Sequence, residues 1–575
     1  MDFGSNQDYH DKDGLGSEQS FNSILLNLTK WNEGQRALTT RLGVVICFMA
    51  IFFLSISYKI ITTALSSSSN NTIFASESGL RKEIVDRNGV LLAINLPSYS
   101  LYANPSKMLD KEEAAHSLKE IFPELDEKKL LRNFASNKRF VWVKRDLSSK
   151  EKLEVNNLGL PGVYFEQEYK RVYTHGNMFA HIIGYVGRDN EGLAGLERSY
   201  DQEIKNYHGN EPPIELTLDS RLQAIVNEEL DKTIKTYRPE SAAAIVMDPN
   251  NGEVLACISK PDFNPHYPGK AKSKELFNAF ATGVYELGSI NKILNLAVGF
   301  DTGKVALNDA YDTTSMKVAN FMVKDWHQTK GWHSVPEIFL KSSNVGMAQI
   351  LFEIGKEDYR EYLNKMGLTK KLDIEIPEKA TPMVSNYKKW SDLTMVTMSY
   401  GYSIAMTPLH FTAAAAAAIN GGIIYPLSFV KKKGPIAGER IFNTTTSKKV
   451  HKLLFLAAEK GTSRKARVPG YFVGAKTGTA NKLIGKKYAE NSARISSMLS
   501  IFPANDPKYL IFIMLDNPKP TKETFGFATA GWTVAPMVSN LVRRMVALYG
   551  LSPYDENEEN IRNELHVDYE INSET

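Results

Sequence analysis

The sequence predicts a multidomain protein of mixed α+β and α/β architecture, tethered by a single N-terminal transmembrane helix. Three observations carry that expectation. An uncharged apolar run begins at Leu42; residues 78–207 mix short β-like runs with charged helical stretches; and the region from 211 onward has strands at both ends with helices between them. The expected segments are a cytoplasmic tail (1–40), a transmembrane anchor (41–65), a non-catalytic α+β pedestal (66–210), a large domain (211–552) and an acidic, disordered tail (553–575). At 575 residues the chain is too long for one compact domain.

Bulk composition narrows the function classes. The chain is 43% hydrophobic, 10% aromatic and 23% charged, which is ordinary for a globular protein. A net charge of +4 supplies no basic stripe for nucleic acid. The two cysteines, Cys47 in the apolar run and Cys257 in a predicted strand, exclude a Cys-rich zinc module. There is no H-E-x-x-H, P-loop or dinucleotide fingerprint, so no metal or cofactor is implied.

The anchor is read from Leu42–Tyr58, which carries no charge, continued past Lys59 by Ile60–Leu65. A spanning helix needs roughly 20 residues, and Lys59 can snorkel to the interface. About 40 residues precede the run and no small-x-small cleavage site stands out, which argues against a cleaved signal peptide. Lys30, Arg36 and Arg41 precede it, whereas 60–80 contains no Lys or Arg, so the positive-inside rule places the N-terminus in the cytoplasm. Everything after the anchor is then extracytoplasmic.

Residues 1–30 are polar and read as disordered, and Ser66–Asn71 as a short linker. In the pedestal, Glu83–Asp86, Leu91–Ile94 and Phe140–Val143 read as strands and Lys111–Phe122 as a helix. Glu211-Pro212-Pro213 marks a boundary. Beyond it Ile214, Leu216 and Leu218 alternate as in a strand, and Asp219 or Ser220 caps a helix with Leu222, Ile225, Val226 and Leu230 on its apolar face. A strand–turn–strand hairpin follows, turning at Pro249–Gly252. Residues 275–420 are mostly helical in pattern and 421–450 strand and turn; strands return at Tyr471–Ala480, Ala493–Ala504 and Lys508–Pro518 before a helix over Thr533–Tyr549. Asp555–Thr575 carries eight acidic residues and one basic, the composition of a solvated tail.

Three short motifs then occur in order. Ser289-Ile290-Asn291-Lys292 puts Ser and Lys on one helix face, near an N-terminus whose dipole favours developing negative charge. A lysine there can act as a base if burial or another cation lowers its pKa. Alone the pattern is weak, since Ser385–Lys388 repeats it. Ser342-Ser343-Asn344 also reads as an ordinary helix cap. Lys476-Thr477-Gly478 occurs once, on a predicted strand where a charged residue among apolar neighbours needs a reason.

The conjunction is far more specific than its parts. S-x-x-K, S-x-N 53 residues on and K-T-G 134 after that resembles the signature of penicillin-binding proteins and serine β-lactamases. The chain resembles the class B penicillin-binding proteins, most closely their septal members, from the anchor to about Leu551. Arg81–Ala93, Gly192–Asp201, Tyr400–Gly422 and Ala493–Pro518 match further family blocks, with Lys82 where the family has Gly and His410 where it has Gln.

The resemblance implies a transpeptidase domain made of an antiparallel sheet packed with helices, plus an all-α subdomain. By resemblance Ser289 attacks the penultimate D-Ala carbonyl of a stem peptide, Lys292 takes its proton, Ser342 relays a proton and Asn344 holds the substrate amide. Lys476 faces the terminal carboxylate, Thr477 and Thr479 hydrogen-bond it, and Gly478 leaves room for substrate along the strand. Backbone N–H groups of Ser289 and Thr479 form the oxyanion hole. The implied partners are peptidoglycan stem peptides on lipid-linked nascent glycan, β-lactam antibiotics, a polytopic septal glycosyltransferase and other division proteins contacted through anchor and pedestal.

Alternatives are weighed on residues. A class A β-lactamase needs a deacylating Glu with Asn four residues on, and none lies between Asn344 and Trp390. A β-lactam sensor lacks a pedestal, and an inactive structural protein would have lost one of Ser289, Lys292 or Lys476. The serious alternative is an elongation-type class B transpeptidase.

Overall fold

A computed structural model of the chain describes residues 43–62 and 80–570, except 206, 208–210, 327–329, 486, 490–492 and 556–557. The expected cytoplasmic tail and the 66–71 linker lie outside the described residues. Helix α1 (Gly43–Thr62) has 20 residues, a mean hydropathy of 2.4 and no buried face, and is long and apolar enough to cross a membrane. The chain divides into two compact units at residue 78, and every other element belongs to the second.

The pedestal sheet comprises β1 (Ile84–Val85), β2 (Leu91–Ala103), β3 (Val141–Leu147), β4 (Val163–Tyr173) and β5 (Ile214–Glu215). Its order is β3-β2-β1-β5, with β4 also paired to β2. Strand β2 is far longer than the expected Leu91–Ile94, because Asn95, Pro97, Ser98 and Ser100 hide its alternation. Helices α2 (Lys111–Ile121), α3 (Glu127–Phe134) and α4 (Ser149–Asn157) cover one sheet face, burying Leu101, Ala103, Leu118, Phe134 and Leu147. Asp110 caps α2 on the N–H groups of Glu112 and Glu113, and Ser148 forms a capping box with Glu151.

Strand β5 pairs parallel to β1, so the Pro-rich segment expected as a boundary leads directly into a strand of the pedestal sheet. Behind β1, fully buried Arg81 and Arg171 both pair with Glu197. Lys82, the departure from the family's Gly, reaches Glu203 and Glu211.

Asp219 caps α5 (Ser220–Tyr237), and Leu222, Val226 and Leu230 are buried as the period predicts. The hairpin is β6 (Ser241–Met247) and β7 (Val254–Lys260). The helical middle contains α6 (Lys292–Asp301), α7 (Val335–Lys341), α8 (Asn344–Ile354), α9 (Pro408–Ile419) and α10 (Thr444–Lys460). Strands β8 (Gly474–Asn481), β9 (Arg494–Phe502) and β10 (Tyr509–Asp516) complete an antiparallel sheet in the order β8-β9-β10-β6-β7. The last helix expected, Thr533–Tyr549, is split before Pro536 into a turn and α11 (Ala535–Tyr549).

Helices α5 and α11 cover one face of this sheet through Leu222, Val226, Leu541 and Met545. Helix α9 covers the other, its Ala413–Ala418 tract wholly buried. Helix α10 packs against α6, α7 and β8, which carry the three motifs.

Two expectations are corrected. Within 421–450 the strands are only Ile423–Ile424 and Glu439–Arg440, and α10 begins at Thr444. The acidic tail is not simply solvated: α12 (Glu559–Leu565) buries Ile561 and Leu565 against the body, and Ser334 Oγ donates to the Tyr569 carbonyl at 2.6 Å. Ile561 and Leu565 stand four apart on one helix face, a pairing that the charge count conceals.

Candidate active site

Ser289 sits in a single 3₁₀ turn, Gly288–Asn291, that runs into α6. Gly288 has φ +64°, and a Cβ there would meet the Thr479 carbonyl at 2.9 Å. Its own carbonyl lies where a Cβ on Gly401 would be, at 2.1 Å. The nucleophile turn is therefore wedged between β8 and the loop before α9, and a glycine is required on each side. Ser289 is half-buried, and its Oγ has no hydrogen-bond partner among the described residues.

Lys292, one helical turn on, is completely buried. Its Nζ donates to the carbonyls of Ser342 (2.7 Å) and Ser343 (3.1 Å) and to Asn344 Oδ1 (2.9 Å), and lies 3.3 Å from Ser342 Oγ. The rival Ser385 and Lys388 are both exposed, which separates the two S-x-x-K matches. Burial pushes the Lys292 ammonium well below the usual lysine range; the Lys476 charge adds to this and the Asp325 carboxylate opposes it.

The second motif joins α7 to α8. Ser342 closes α7 in a left-handed conformation (φ 58°, ψ 40°), and Ser343 caps α8 on the N–H of Gly346. The left-handed residue turns the Ser342 hydroxyl toward β8. There, Lys476 Nζ donates to Ser342 Oγ at 3.1 Å and to the Thr477 carbonyl at 3.2 Å. Lys476 is completely buried, and desolvation pushes it down to about 7.

Strand β8 is the edge of its sheet, which leaves one row of backbone groups free for an added strand. Thr477 and Thr479 alternate with Lys476 and Gly478 along it. Thr477 Oγ1 hydrogen-bonds Thr462 Oγ1 at 2.6 Å, and Thr479 Oγ1 lies 3.5 Å from the Ala530 N–H.

Gly478 has a packing role as well. A Cβ on it would meet the Leu287 carbonyl at 2.5 Å and Ser497 Oγ at 2.7 Å. The glycine lets β8 close on the turn that carries Ser289.

The expected site residues thus lie on three segments, the turn into α6, the α7–α8 junction and β8, and α10 packs against α6, α7 and β8. Asp325 was missed: it binds the second motif from a loop, and no short pattern marks it. Among the described residues no cluster of three or more His, Cys, Asp or Glu could hold a metal ion. A cavity of about 270 Å³ lies elsewhere, between α10 and the tail, lined by Phe455, Lys460, Arg467, Arg562 and Tyr569 and by none of the motif residues.

Comparison with known proteins identifies the family. The family described as "Penicillin binding protein transpeptidase domain" matches residues 242–538, and "Penicillin-binding Protein dimerisation domain" matches 76–255. The chain is 34% identical to the probable peptidoglycan D,D-transpeptidase FtsI of Caulobacter vibrioides, over 82% of each chain. It is 32% identical to the stage V sporulation protein D of Bacillus subtilis (86% of this chain, 82% of that one) and 26% identical to the peptidoglycan D,D-transpeptidase FtsI of Escherichia coli (81% and 84%). Among solved structures it superposes on penicillin binding protein 3 of Mycobacterium tuberculosis complexed with ampicillin. The TM-score is 0.67 at 22% identity, covering 84% of this chain and 98% of that one, which speaks for the fold alone.

Proposed function

Because this chain belongs to the class B penicillin-binding proteins, a family of peptidoglycan D,D-transpeptidases, we propose that it cross-links stem peptides through an acyl-enzyme on Ser289. The observation that carries this reading is the position of Ser342 Oγ, within 3.3 Å of Lys292 Nζ and 3.1 Å of Lys476 Nζ. One hydroxyl between two buried lysines, one of them a turn along from a half-buried serine, is a proton path.

In the first half-reaction Ser289 Oγ bonds to the penultimate D-Ala carbonyl carbon and its proton passes to Lys292. The oxyanion is held by the backbone N–H groups of Ser289 and Thr479. Collapse breaks the peptide bond, and the leaving D-Ala nitrogen takes a proton through Ser342. In the second half the acceptor amine attacks the ester and gives its proton to Lys292, which returns it to Ser289 Oγ as the ester bond breaks. Asn344 holds the substrate amide. Lys476, with Thr477 and Thr479, faces the terminal carboxylate, whose charge raises the Lys476 pKa from about 7 and keeps its proton in place. A β-lactam enters the same path and stops at the acyl-enzyme.

The cellular reading is septal. It rests on the likeness to proteins named FtsI and on the strands of Ala493–Pro518. Helix α1 anchors the chain in the cytoplasmic membrane with its N-terminus inside, and anchor and pedestal meet a polytopic glycosyltransferase and other division proteins. External protease on spheroplasts should digest the catalytic domain and spare residues 1–40. Depletion should give filaments with intact side walls and a fluorescent fusion should gather at midcell. Round cells with the fusion scattered along the side wall would replace the septal reading by the elongation one.

A further inference from the structure

We propose that Asp325 is a positioning residue for the acyl transfer, acting on Lys292 through the peptide group between Ser343 and Asn344. This rests on the reading of Lys292 as the base. The Ser343 carbonyl accepts from Lys292 Nζ at 3.1 Å, and the N–H of that same peptide group, on Asn344, donates to Asp325 Oδ1 at 2.5 Å. Ammonium and carboxylate thus polarise one amide from its two ends, which strengthens both hydrogen bonds.

Asp325 holds the rest of the turn as well. Its Oδ1 accepts from the Val345 N–H at 3.0 Å, and its Oδ2 from Ser343 Oγ at 2.7 Å. Ser343 Oγ in turn accepts from the Gly346 N–H at 3.0 Å. The first three N–H groups of α8 are therefore satisfied by one carboxylate and one hydroxyl, and the carboxylate lies at the positive end of the helix dipole. The payload of this arrangement points the other way. With the N–H side pinned, the carbonyls of Ser342 and Ser343 and the Asn344 amide oxygen are left aimed at Lys292. In this proposal Asp325 does no chemistry itself and acts through the turn it holds.

Among the described residues two charged groups act on Lys292: Lys476 from β8 and Asp325. Among the described residues, titratable groups on and around α6 are engaged elsewhere. Tyr359 donates to Asn295, Asp301 accepts from Tyr362 and Thr446, and Glu353 accepts from Tyr311. His410 and His451 lie on the carbonyls of Lys370 and Ile419. Lys324, beside Asp325, is exposed, and its carbonyl accepts from Asn344 Nδ2.

The test compares acylation of the full chain by a fluorescent penicillin from pH 5 to 9 in wild type, Asp325→Asn and Asp325→Ala. Asn keeps the shape and an acceptor for the α8 N–H groups but removes the charge, so Lys292 gives up its proton more easily. The acidic limb of the Asp325→Asn profile should move to lower pH by roughly one unit, with the alkaline limb unmoved. Asp325→Ala, which also frees the turn, should acylate at least about tenfold more slowly than Asp325→Asn at the optimum. An Asp325→Asn profile with both limbs where the wild type has them, or equal losses in both variants with no shift, overturns the proposal. If Asp325→Ala does not fold, the Asp325→Asn profile still decides. A wild type that takes no label on Ser289 would instead overturn the acyl-enzyme reading.

Discussion

Lys476 Nζ lies 3.1 Å from Ser342 Oγ, across 134 residues of sequence. The contact closes the site, because Ser342 also sees Lys292 and Lys476 is borne on the edge strand β8. It brings the buried Lys476 ammonium, its pKa pushed down to about 7, onto the hydroxyl of the second motif.

The pH dependence follows from the two lysines. Lys292 has to be neutral to accept a proton, so kcat/KM for acylation rises as pH climbs through its lowered pKa. In the proposed mechanism Lys476 is charged to hold the carboxylate, so kcat/KM should fall as pH climbs past about 7. Lys476→Arg should lose this alkaline fall up to pH 9, since a guanidinium stays charged, at a rate cut by about tenfold from altered donor geometry. Lys476→Ala should lose about 10²–10³. Near-normal acylation in both variants would remove Lys476 from the mechanism.

Ser342 separates strain from chemistry. Its left-handed backbone costs a non-glycine residue about 1–2 kcal/mol. In denaturant melts Ser342→Gly should be more stable than Ser342→Ala by about 1 kcal/mol, while both variants lose acyl transfer. Equal stability of the two would mean that the strain is not stored there, and retained transfer in either would exclude the relay.

Gly478→Ala tests why the third motif ends in glycine. The new methyl meets the Leu287 carbonyl and Ser497 Oγ, so unfolding free energy should fall by about 1–3 kcal/mol, as overpacking does. Penicillin labelling should fall with it, because Leu287 immediately precedes the nucleophile turn. If stability were untouched while labelling fell, the glycine would serve substrate approach instead.

Truncation after Ser552 tests the docked tail. Ile561 and Leu565 lose their burial, so stability should drop by about 2–4 kcal/mol in a thermal melt, with Ser289 still acylated. A freely solvated tail would leave the melt unchanged.

What could be read from the sequence was whatever has a short period or a short motif. Leu222, Val226 and Leu230 mark α5 at helical spacing, and the three motifs fall on the elements where their patterns place them. Strand β2 was cut short because Pro97 and polar Asn95 and Ser100 interrupt its alternation. The tail misled because its charge outweighs the two apolar residues that dock it. Asp325 leaves no trace because it binds the second motif from 18 to 20 residues away, two of its contacts being backbone N–H groups, which leave no mark in a sequence.

The central claim is that Ser289 is the acylated residue, and the most direct measurement is mass mapping of the penicillin adduct. The full chain is labelled with a fluorescent penicillin, digested and sequenced by mass spectrometry, beside Ser289→Ala. The account predicts one adduct, carried by the peptide containing Ser289 at the mass of the intact drug, and no adduct in the variant with its melt unchanged. An adduct on Ser385, or undiminished labelling of Ser289→Ala, would contradict it.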